Sequence, residues 1–370
     1  MRSASWHKCE FILALVVFAL TLALKTNSQT LTTFDAPVAG KLSGEGTRPA
    51  AVNSVGTITG SVLDRNHLWH GFVRTNDARY IIFDAPRADP KLGCTCPIAI
   101  NDLGIIVGYT LDSHGVARGF VRTPDGKFHV VGPRGAIRST FLDGIDDFGV
   151  ATGRLFDASG RVHAFLRNRD GKVTLFEDPL AGEAAGEGTW PNAINNQGTV
   201  SGWVKDAQLK AHGFLRVRTG DFINFDVPGA IGSLFVNAYV NDRGVVAGTY
   251  VAQQEVDHEV EAGFQRLRDG NFSVYAAPTG PLHNLSVSAL NTEGTATGWY
   301  EGSVGGLDHA FVRFDDGRLV PIEFPFGEQE SVGAAVNDRD VVVGWWIDSH
   351  GVYRGYTWLP ASRRLPATKP

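Results

Sequence analysis

The chain is poor in cysteine and has no long run of basic residues. Among its 370 residues there are only 3 Cys, and the formal net charge is −5. So few cysteines exclude a fold that depends on a disulfide framework, and the apolar core must stabilise the protein by itself. The mildly acidic charge and the lack of a basic run argue against a nucleic-acid partner.

Motifs of the common catalytic and metal sites are also absent. The chain has no Gly-x-Ser-x-Gly elbow, phosphate-binding loop, EF-hand spacing or His-Glu-x-x-His pair. Cys94 and Cys96 are two thiols without further ligands, so we expect neither a metal centre nor a cofactor. A disulfide across one intervening residue is usually strained, so such a bridge is possible but we expect these thiols to be unbridged. An enzyme is not excluded, because glycosidases and lyases assemble acids from distant parts of a chain.

One long apolar run lies at the N terminus. It extends from Phe11 to Leu24 and follows Arg2 and Lys8. Such a run is too short to span a bilayer comfortably and is typical of a signal peptide. Small residues up to Ser28 predict cleavage there, with an uncleaved N-terminal anchor as the alternative. We therefore expect residues 1–28 to be removed, leaving a secreted or periplasmic protein without a membrane span.

Three markers recur seven times in a fixed order, at intervals of roughly 47 residues. The first is an Asx that opens a turn, followed by a short apolar run to Gly: Asn53, Asn101, Asp146, Asn195, Asn241, Asn291 and Asn337. The second is an aromatic residue after a small one: Phe72, Phe120, Phe165, Phe214, Phe264, Phe311 and Tyr356. The third is a proline, usually three residues after an aromatic one: Pro37, Pro86, Pro133, Pro179, Pro228, Pro278 and Pro325.

Each repeated unit contains four strand-like runs joined by tight turns. In the second unit the turn 101–104 begins with Asx and ends with Gly, which suits a type I turn closed by a left-handed glycine. Helical periodicity is absent after the N-terminal run. Four antiparallel strands per unit predict an all-β, seven-bladed β-propeller over residues 29–361. Tandem sandwiches would need about 100 residues per unit.

The two ends of the repeated region are incomplete in complementary ways. Residues 31–35 read as an outermost strand with no preceding unit, and residues 354–358 read as a third strand without its outer partner. We predict that residues 30–35 pair with residues 353–358 and close the ring. Residues 362–370 are expected to form a flexible C-terminal tail.

The repeats resemble a known class. His163-Ala164-Phe165 and His309-Ala310-Phe311, with an Ala-Ile-Asn…Gly…Val…Gly pattern upstream, are similar to the HAF repeats of bacterial extracellular proteins. The resemblance covers nearly all of residues 30–358 and implies export and a repeat architecture. It implies no catalytic residue. Units two and seven differ from the class name, because they read Arg-Gly-Phe and Arg-Gly-Tyr.

The loops that lead into the innermost strands are the least repetitive part of each unit. Propellers usually bind their ligands at this end of the central channel. The candidate ligand-binding residues here are Arg48, Phe141, Trp190, Phe235 and His283. The three aromatic residues offer stacking surfaces like those of sugar-binding clefts, with Arg48 or His283 reaching a polar or anionic group. The alternative is that the aromatic residues only plug the channel.

The repeated Asx and histidine residues are expected to be structural. Asx at the start of a turn usually accepts hydrogen bonds from its own backbone. A catalytic histidine seldom recurs in every blade, as it would at His70, His163, His212 and His309. The acidic insertion Glu255–Glu261 is interpreted as a solvated loop, with a cation site such as Ca²⁺ as the alternative.

These features favour an exported β-propeller that acts as a binding or interaction module and not as an enzyme. The expected ligand is a carbohydrate, a cell-envelope component or another protein, and the protein is expected to be a monomer. The first alternative is an extracellular polysaccharide hydrolase or lyase with its general acid and base at the channel mouth. The second is an architectural spacer whose channel is sealed by apolar side chains.

Overall fold

A computed structural model describes residues 29–89, 95–132, 139–231, 235–254, 259–303, 306–324 and 329–361. The predicted signal peptide and the predicted tail lie outside these described residues. Within them every regular element is a β-strand, and no helix is long and apolar enough to cross a bilayer. The predicted all-β class is therefore confirmed for the described part of the chain.

The strands follow one another in groups of four. After β1 (Thr30–Phe34) come the first three groups: β2 (Gly46–Val52), β3 (Ile58–Leu63), β4 (Trp69–Arg74) and β5 (Tyr80–Phe83); β6 (Thr95–Ile100), β7 (Ile106–Leu111), β8 (Ala117–Arg122) and β9 (Phe128–Val131); β10 (Ser139–Ile145), β11 (Ala151–Phe156), β12 (Val162–Arg167) and β13 (Val173–Phe176).

Three more groups and a final set of three strands follow: β14 (Gly188–Ile194), β15 (Val200–Lys205), β16 (Ala211–Arg216) and β17 (Phe222–Phe225); β18 (Phe235–Val240), β19 (Val246–Gln254), β20 (Glu259–Arg266) and β21 (Phe272–Tyr275); β22 (Leu285–Leu290), β23 (Ala296–Glu301), β24 (Asp308–Arg313) and β25 (Leu319–Pro321); β26 (Glu330–Val336), β27 (Val342–Ile347) and β28 (Tyr353–Leu359).

Each group is an antiparallel sheet in which the strands pair in chain order. The first strands of neighbouring groups contact one another, and β2 contacts both β6 and β26. The last sheet takes β1 as its fourth strand, with Thr30 opposite Leu359 and Phe34 opposite Gly355. This is the contact between the first and last segments that the sequence predicted.

Every innermost strand carries a one-residue shift in register against its neighbour. A carbonyl of the inner strand there comes so close to the second strand that only glycine fits opposite. At Gly202 a Cβ atom would lie 2.1 Å from the carbonyl oxygen of Trp190. The glycine that ends the apolar run of the first marker is therefore required by a β-bulge.

The Asx residues of the first marker bond both within and between units. Each side-chain oxygen accepts a backbone hydrogen bond, as from the Thr57 N–H to Asn53 Oδ1 at 2.9 Å, which confirms the turn interpretation. Each asparagine also donates from Nδ2 to the carbonyl of the next unit's Asx. These bonds measure 2.8–3.1 Å and join Asn53 to Asn101, Asn101 to Asp146, Asn195 to Asn241, Asn241 to Asn291, Asn291 to Asn337 and Asn337 to Asn53.

A second contact also joins units. The arginine at the end of a third strand stacks on an aromatic ring in the outermost strand of the preceding unit. The distances from guanidinium carbon to ring centroid are 4.6 Å for Arg74 on Phe34, 4.8 Å for Arg122 on Phe83, 4.8 Å for Arg216 on Phe176, 5.3 Å for Arg266 on Phe225 and 4.3 Å for Arg313 on Tyr275. The pair Arg74–Phe34 joins the first unit to β1.

In four units the basic residue two positions before the marker aromatic bridges two carboxylates: His70, His163, His212 and Arg354. His70 Nδ1 lies 2.8 Å from Asp84, and its Nε2 lies 3.6 Å from Asp64. In the last unit Arg354 occupies the same position and is hydrogen-bonded to Asp35, which directly follows β1. These contacts are structural, as expected from the recurrence of the residue.

Asp146 interrupts the series of amide donors, because a carboxylate has no hydrogen to donate to the next unit. Burial raises the pKa of Asp146, and the neighbouring Asp147 adds to this effect. We expect Asp146→Asn to raise the free energy of unfolding at pH 7 by about 1 kcal/mol in denaturant titrations. The gain should shrink toward pH 4, because a group whose pKa is raised by folding loses its contribution to stability as the pH rises.

Asn195→Asp is the matched control for this change. It removes one amide donor and places a second carboxylate in the Asx series, at a position that is only 5% exposed. We expect it to lower the free energy of unfolding by about 2 kcal/mol. If both variants were as stable as the parent protein at pH 7, the amide series would not hold the units together.

Candidate functional site

A cavity of about 890 Å³ lies between the inner strands of all the units. Its volume is within the range of about 300–1,000 Å³ that is usual for small-molecule sites. Most of the residues left out of register at the bulges line it: Ala50, Ile98, Asp143, Asn192, Ser288 and Ala334. In these six units the bulge therefore places one variable residue on the cavity wall.

One wall of the cavity combines a cation with aromatic rings. The guanidinium carbon of Arg48 lies 3.6 Å from the ring centroid of Tyr353 and 4.9 Å from that of Trp69. The ring of Trp345 packs on Tyr353 with centroids 5.0 Å apart. Arg48, Trp69 and Trp345 all line the cavity. This wall offers flat apolar surfaces next to a positive charge.

A second wall carries a buried ion pair and a phenol. Asp143 pairs with Arg154, and the Asp143 side chain is 12% exposed. Burial raises the pKa of Asp143, although Arg154 opposes this shift. Tyr239 also lines the cavity, and burial, together with Asp143, raises its pKa to about 12. This wall therefore offers a phenol that is protonated at neutral pH and a carboxyl group that is paired with an arginine.

Three of the predicted site residues lie in different surroundings. Arg48 lines the cavity. Phe141 and Trp190 are half-buried beside it and are not part of the lining. Arg154 stacks on Phe141 with its guanidinium carbon 4.7 Å from the ring centroid, and Trp190 lies flat on Trp203 at 4.8 Å. Their ring faces are therefore occupied by neighbouring side chains.

The other predicted residues contribute no described contact to the cavity. His283 is half-buried outside the lining, and its Nδ1 has no hydrogen-bond partner among the described residues. The side chain of Phe235 lies outside the described residues. Cys96 lines the cavity and is disulfide-bonded, so the expectation of an unbridged thiol was wrong. The other two cysteines, Cys9 and Cys94, lie outside the described residues.

Four cavity residues were not predicted from the sequence: Asp143, Trp69, Trp345 and Tyr239. A signal for Asp143 was present, because it stands three residues before a marker Asx. The corresponding residues in the other units include alanine, isoleucine, asparagine and serine. Such variety at one fixed position of a regular repeat indicates that the fold does not require a particular side chain there.

A smaller cavity of about 220 Å³ lies where the inner strands end. Asp102, Asp147, Asp242 and Asp338 line it, and each accepts a backbone hydrogen bond from the preceding unit, as Asp102 does from the Ser54 N–H at 2.8 Å. Among the described residues no group of three or more His, Cys, Asp or Glu side chains is arranged to hold a metal ion. These carboxylates therefore serve the contacts between units.

The described end of the acidic insertion is partly buried. Residues 255–258 lie outside the described residues, whereas Glu261 lies half-buried in β20. Burial, with Glu259 and Glu301, raises the pKa of Glu261 to about 7. Burial, with Glu330 and Glu301, raises the pKa of Asp308 to about 6. The interpretation of the whole insertion as a solvated loop was therefore wrong for Glu261.

This carboxylate cluster predicts a loss of stability as the pH rises from acidic to neutral values. Because the pKa of Glu261 is higher in the folded chain, its favourable contribution is present below about pH 4.5 and is lost as the pH rises through about 7. The unfolding free energy of the parent protein should therefore decrease between pH 5 and pH 8. We expect this decrease to be about 1–2 kcal/mol smaller in Glu261→Gln, allowing for solvent screening. Asp269→Asn, at an exposed carboxylate, is the control and should leave the decrease unchanged. A parent protein whose stability does not change over this range would contradict the burial of charge at Glu261.

Comparison with known proteins defines the class of fold. No protein-family model matches the chain, and no curated protein matches its sequence. Solved structures do match, and together with the four-stranded sheets they show a propeller-like all-β fold.

Three of these structures span nearly the whole chain. A catalytically inactive virginiamycin B lyase from Staphylococcus aureus, solved with quinupristin, is 11% identical with a TM-score of 0.57, covering 90% of this chain and 99% of its own. A streptogramin B lyase is 12% identical with a TM-score of 0.56, covering 90% and 98%. The lectin BP39L from Burkholderia pseudomallei is 12% identical with a TM-score of 0.52, covering 91% and 97%. At these identities the similarity shows the fold alone.

Proposed function

We propose that the chain is an exported, closed seven-bladed β-propeller that binds a carbohydrate in the cavity between its inner strands. Closure is supported by the pairing of β1 with β28. It is also supported by the stacking of Arg74 on Phe34 and by the bond from Asn337 Nδ2 to the Asn53 carbonyl at 2.9 Å. The stacking contact and the amide bond are of the same kinds as the contacts that join the other neighbouring units. Here they join the first unit to the last.

Export is supported by sequence and by chemistry. The N-terminal basic residues and apolar run fit a signal peptide, and the HAF-like repeats fit an extracellular protein. Cys96 is disulfide-bonded, and such bonds persist in secreted and periplasmic proteins. We therefore propose that residues 29–361 fold outside the cytoplasm.

The aromatic wall carries the binding proposal. Apolar faces of sugar rings stack on tryptophan, and Trp69 and Trp345 both line a cavity of sufficient volume. Asn192 and Tyr239 supply polar groups for sugar hydroxyls in the same cavity. The lectin among the matched structures supports a propeller as a carbohydrate-binding module. A spacer sealed by apolar side chains fits this cavity poorly.

Trp345→Ala tests the stacking surface. We expect residues 29–370 to bind saccharides on a glycan array, and the variant to bind the best of them about tenfold or more weakly in fluorescence titrations. Trp299→Ala is the matched control, because Trp299 pairs with Ser286 on β22 as Trp345 pairs with Val332 on β26 but is not part of the lining.

Two results would indicate that the ligand binds at another site. An equal loss in both variants would indicate a general effect on folding or on another surface. Loss in Trp190→Ala with none in Trp345→Ala would favour the aromatic cluster predicted from the sequence. Absence of any saccharide ligand would reject the carbohydrate proposal.

A polysaccharide hydrolase or lyase is the second candidate. It is favoured by the carboxyl group of Asp143 and the phenol of Tyr239, both lining the cavity with raised pKa values. Paired acid and base groups of this kind serve general acid–base catalysis. The two lyases among the matched structures support a lytic propeller on fold alone.

Asp143→Asn tests the enzymatic candidate. If the protein cleaves the polymer that it binds, we expect this variant to lose at least about 100-fold in the release of reducing or unsaturated ends. Asp102→Asn, in the smaller cavity, is the control and should retain activity. A parent protein that binds a polymer and releases no product from it would reject this candidate.

A further inference from the structure

Arg48 lines the large cavity, and Arg154 lies beside it against Asp143; the two arginines differ in their electrostatic partners. Arg154 forms an ion pair with Asp143. Arg48 has no ion pair among the described residues, and its side chain donates one long hydrogen bond, from Nη2 to the Gly44 carbonyl at 3.3 Å. The cavity therefore contains a guanidinium group whose charge no described carboxylate neutralises.

The position of Arg48 is fixed by its stacking partners. Its guanidinium carbon lies over the rings of both Tyr353 and Trp69, at 3.6 and 4.9 Å from their centroids. Cation–π contacts do not use the N–H donors, which lie in the plane of the group. Apart from the long bond to the Gly44 carbonyl, these donors are available to a ligand. A guanidinium group held in this way loses little conformational entropy when it binds an anion.

Burial makes an anionic partner favourable. Desolvation lowers the pKa of Arg48, so the surroundings disfavour its charge. A bound anion offsets this cost and adds charge-assisted hydrogen bonds, which are about twice as strong as neutral ones. Asp143 does not serve this purpose, because it is already paired with Arg154.

We propose that the carbohydrate ligand is an acidic saccharide whose anionic oxygen group binds Arg48 while a sugar ring stacks on Trp69 or Trp345. This inference rests on the proposed function and names the chemical class of its ligand. A neutral sugar leaves the Arg48 fork with hydroxyl partners only, which form weaker and less directional bonds. The carboxylate of a uronic acid and a sulfate ester share the required chemistry.

The test compares matched probes on the protein of residues 29–370. Oligogalacturonate, its methyl ester and a sulfated oligosaccharide are titrated by calorimetry at low and moderate salt. We expect the acidic forms to bind about 10- to 100-fold more tightly than the methyl ester, and added salt to weaken only the acidic forms. This comparison needs no variant, so it does not depend on how a substitution affects folding.

Substitutions then locate the effect. Arg48→Gln should abolish the preference for the acidic probe and leave the affinity for the ester within about twofold, while Arg48→Lys retains part of the preference because it keeps the charge but not the fork. Arg266→Gln is the matched control, since Arg266 also stacks on a ring but lies outside the cavity lining. It should keep the full preference.

Each outcome decides the inference. Dependence on Arg48 with the galacturonate probe, the sulfated probe or both supports it and identifies the anionic group. Equal binding of acid and ester, or a preference that survives Arg48→Gln, overturns it while leaving carbohydrate binding intact. Failure of every probe and of every saccharide on the array overturns both proposals.

Discussion

Contact between neighbouring units is the constraint on which this structure depends. A four-stranded sheet of this size cannot bury both of its faces by itself, so each unit is stable only against its neighbours. The marker aromatics show the result, because all seven, from Phe72 to Tyr356, are 0% exposed. Hydrogen bonds from asparagine amides join neighbouring units at the ends of the inner strands, and stacked arginines join them at the outer strands. Both contacts use residues that recur once per unit, so one sequence pattern assembles the whole fold.

The same constraint leaves the centre of the molecule free to vary. Neighbouring units are joined at the Asx turn and at the outer strands, and the glycine opposite the bulge accommodates the inner backbone. The bulged side chain itself takes no part in these contacts in most units, so alanine, isoleucine and aspartate all occur there without loss of fold. Chemical diversity is therefore concentrated where the side chains converge on one cavity, as in other folds with rigid scaffolds and variable inner surfaces.

Local features of the fold could be predicted from the sequence, and features that join distant residues could not. Turn chemistry and alternation within one unit revealed the strands and the role of Asn53. The bond from Asn53 to Asn101 crosses 48 residues, and no local pattern indicates it. Phe141 and Trp190 were predicted in the loops before the inner strands, but they lie within β10 and β14. Arg154 and Trp203 cover their ring faces. Those partners come from second strands whose register depends on the bulge.

The electrostatics of the cavity favour recognition over catalysis. A general base must present a free oxygen to its substrate. Asp143 does not do so, because one oxygen is bonded to Arg154 and Oδ2 is buried without a hydrogen-bond partner among the described residues. Arg48 is the opposite case, since its charge lies on the cavity wall with no described counter-ion. A catalytic role for Asp143 would require the ion pair to open, whereas Arg48 can receive an anion in the geometry already present.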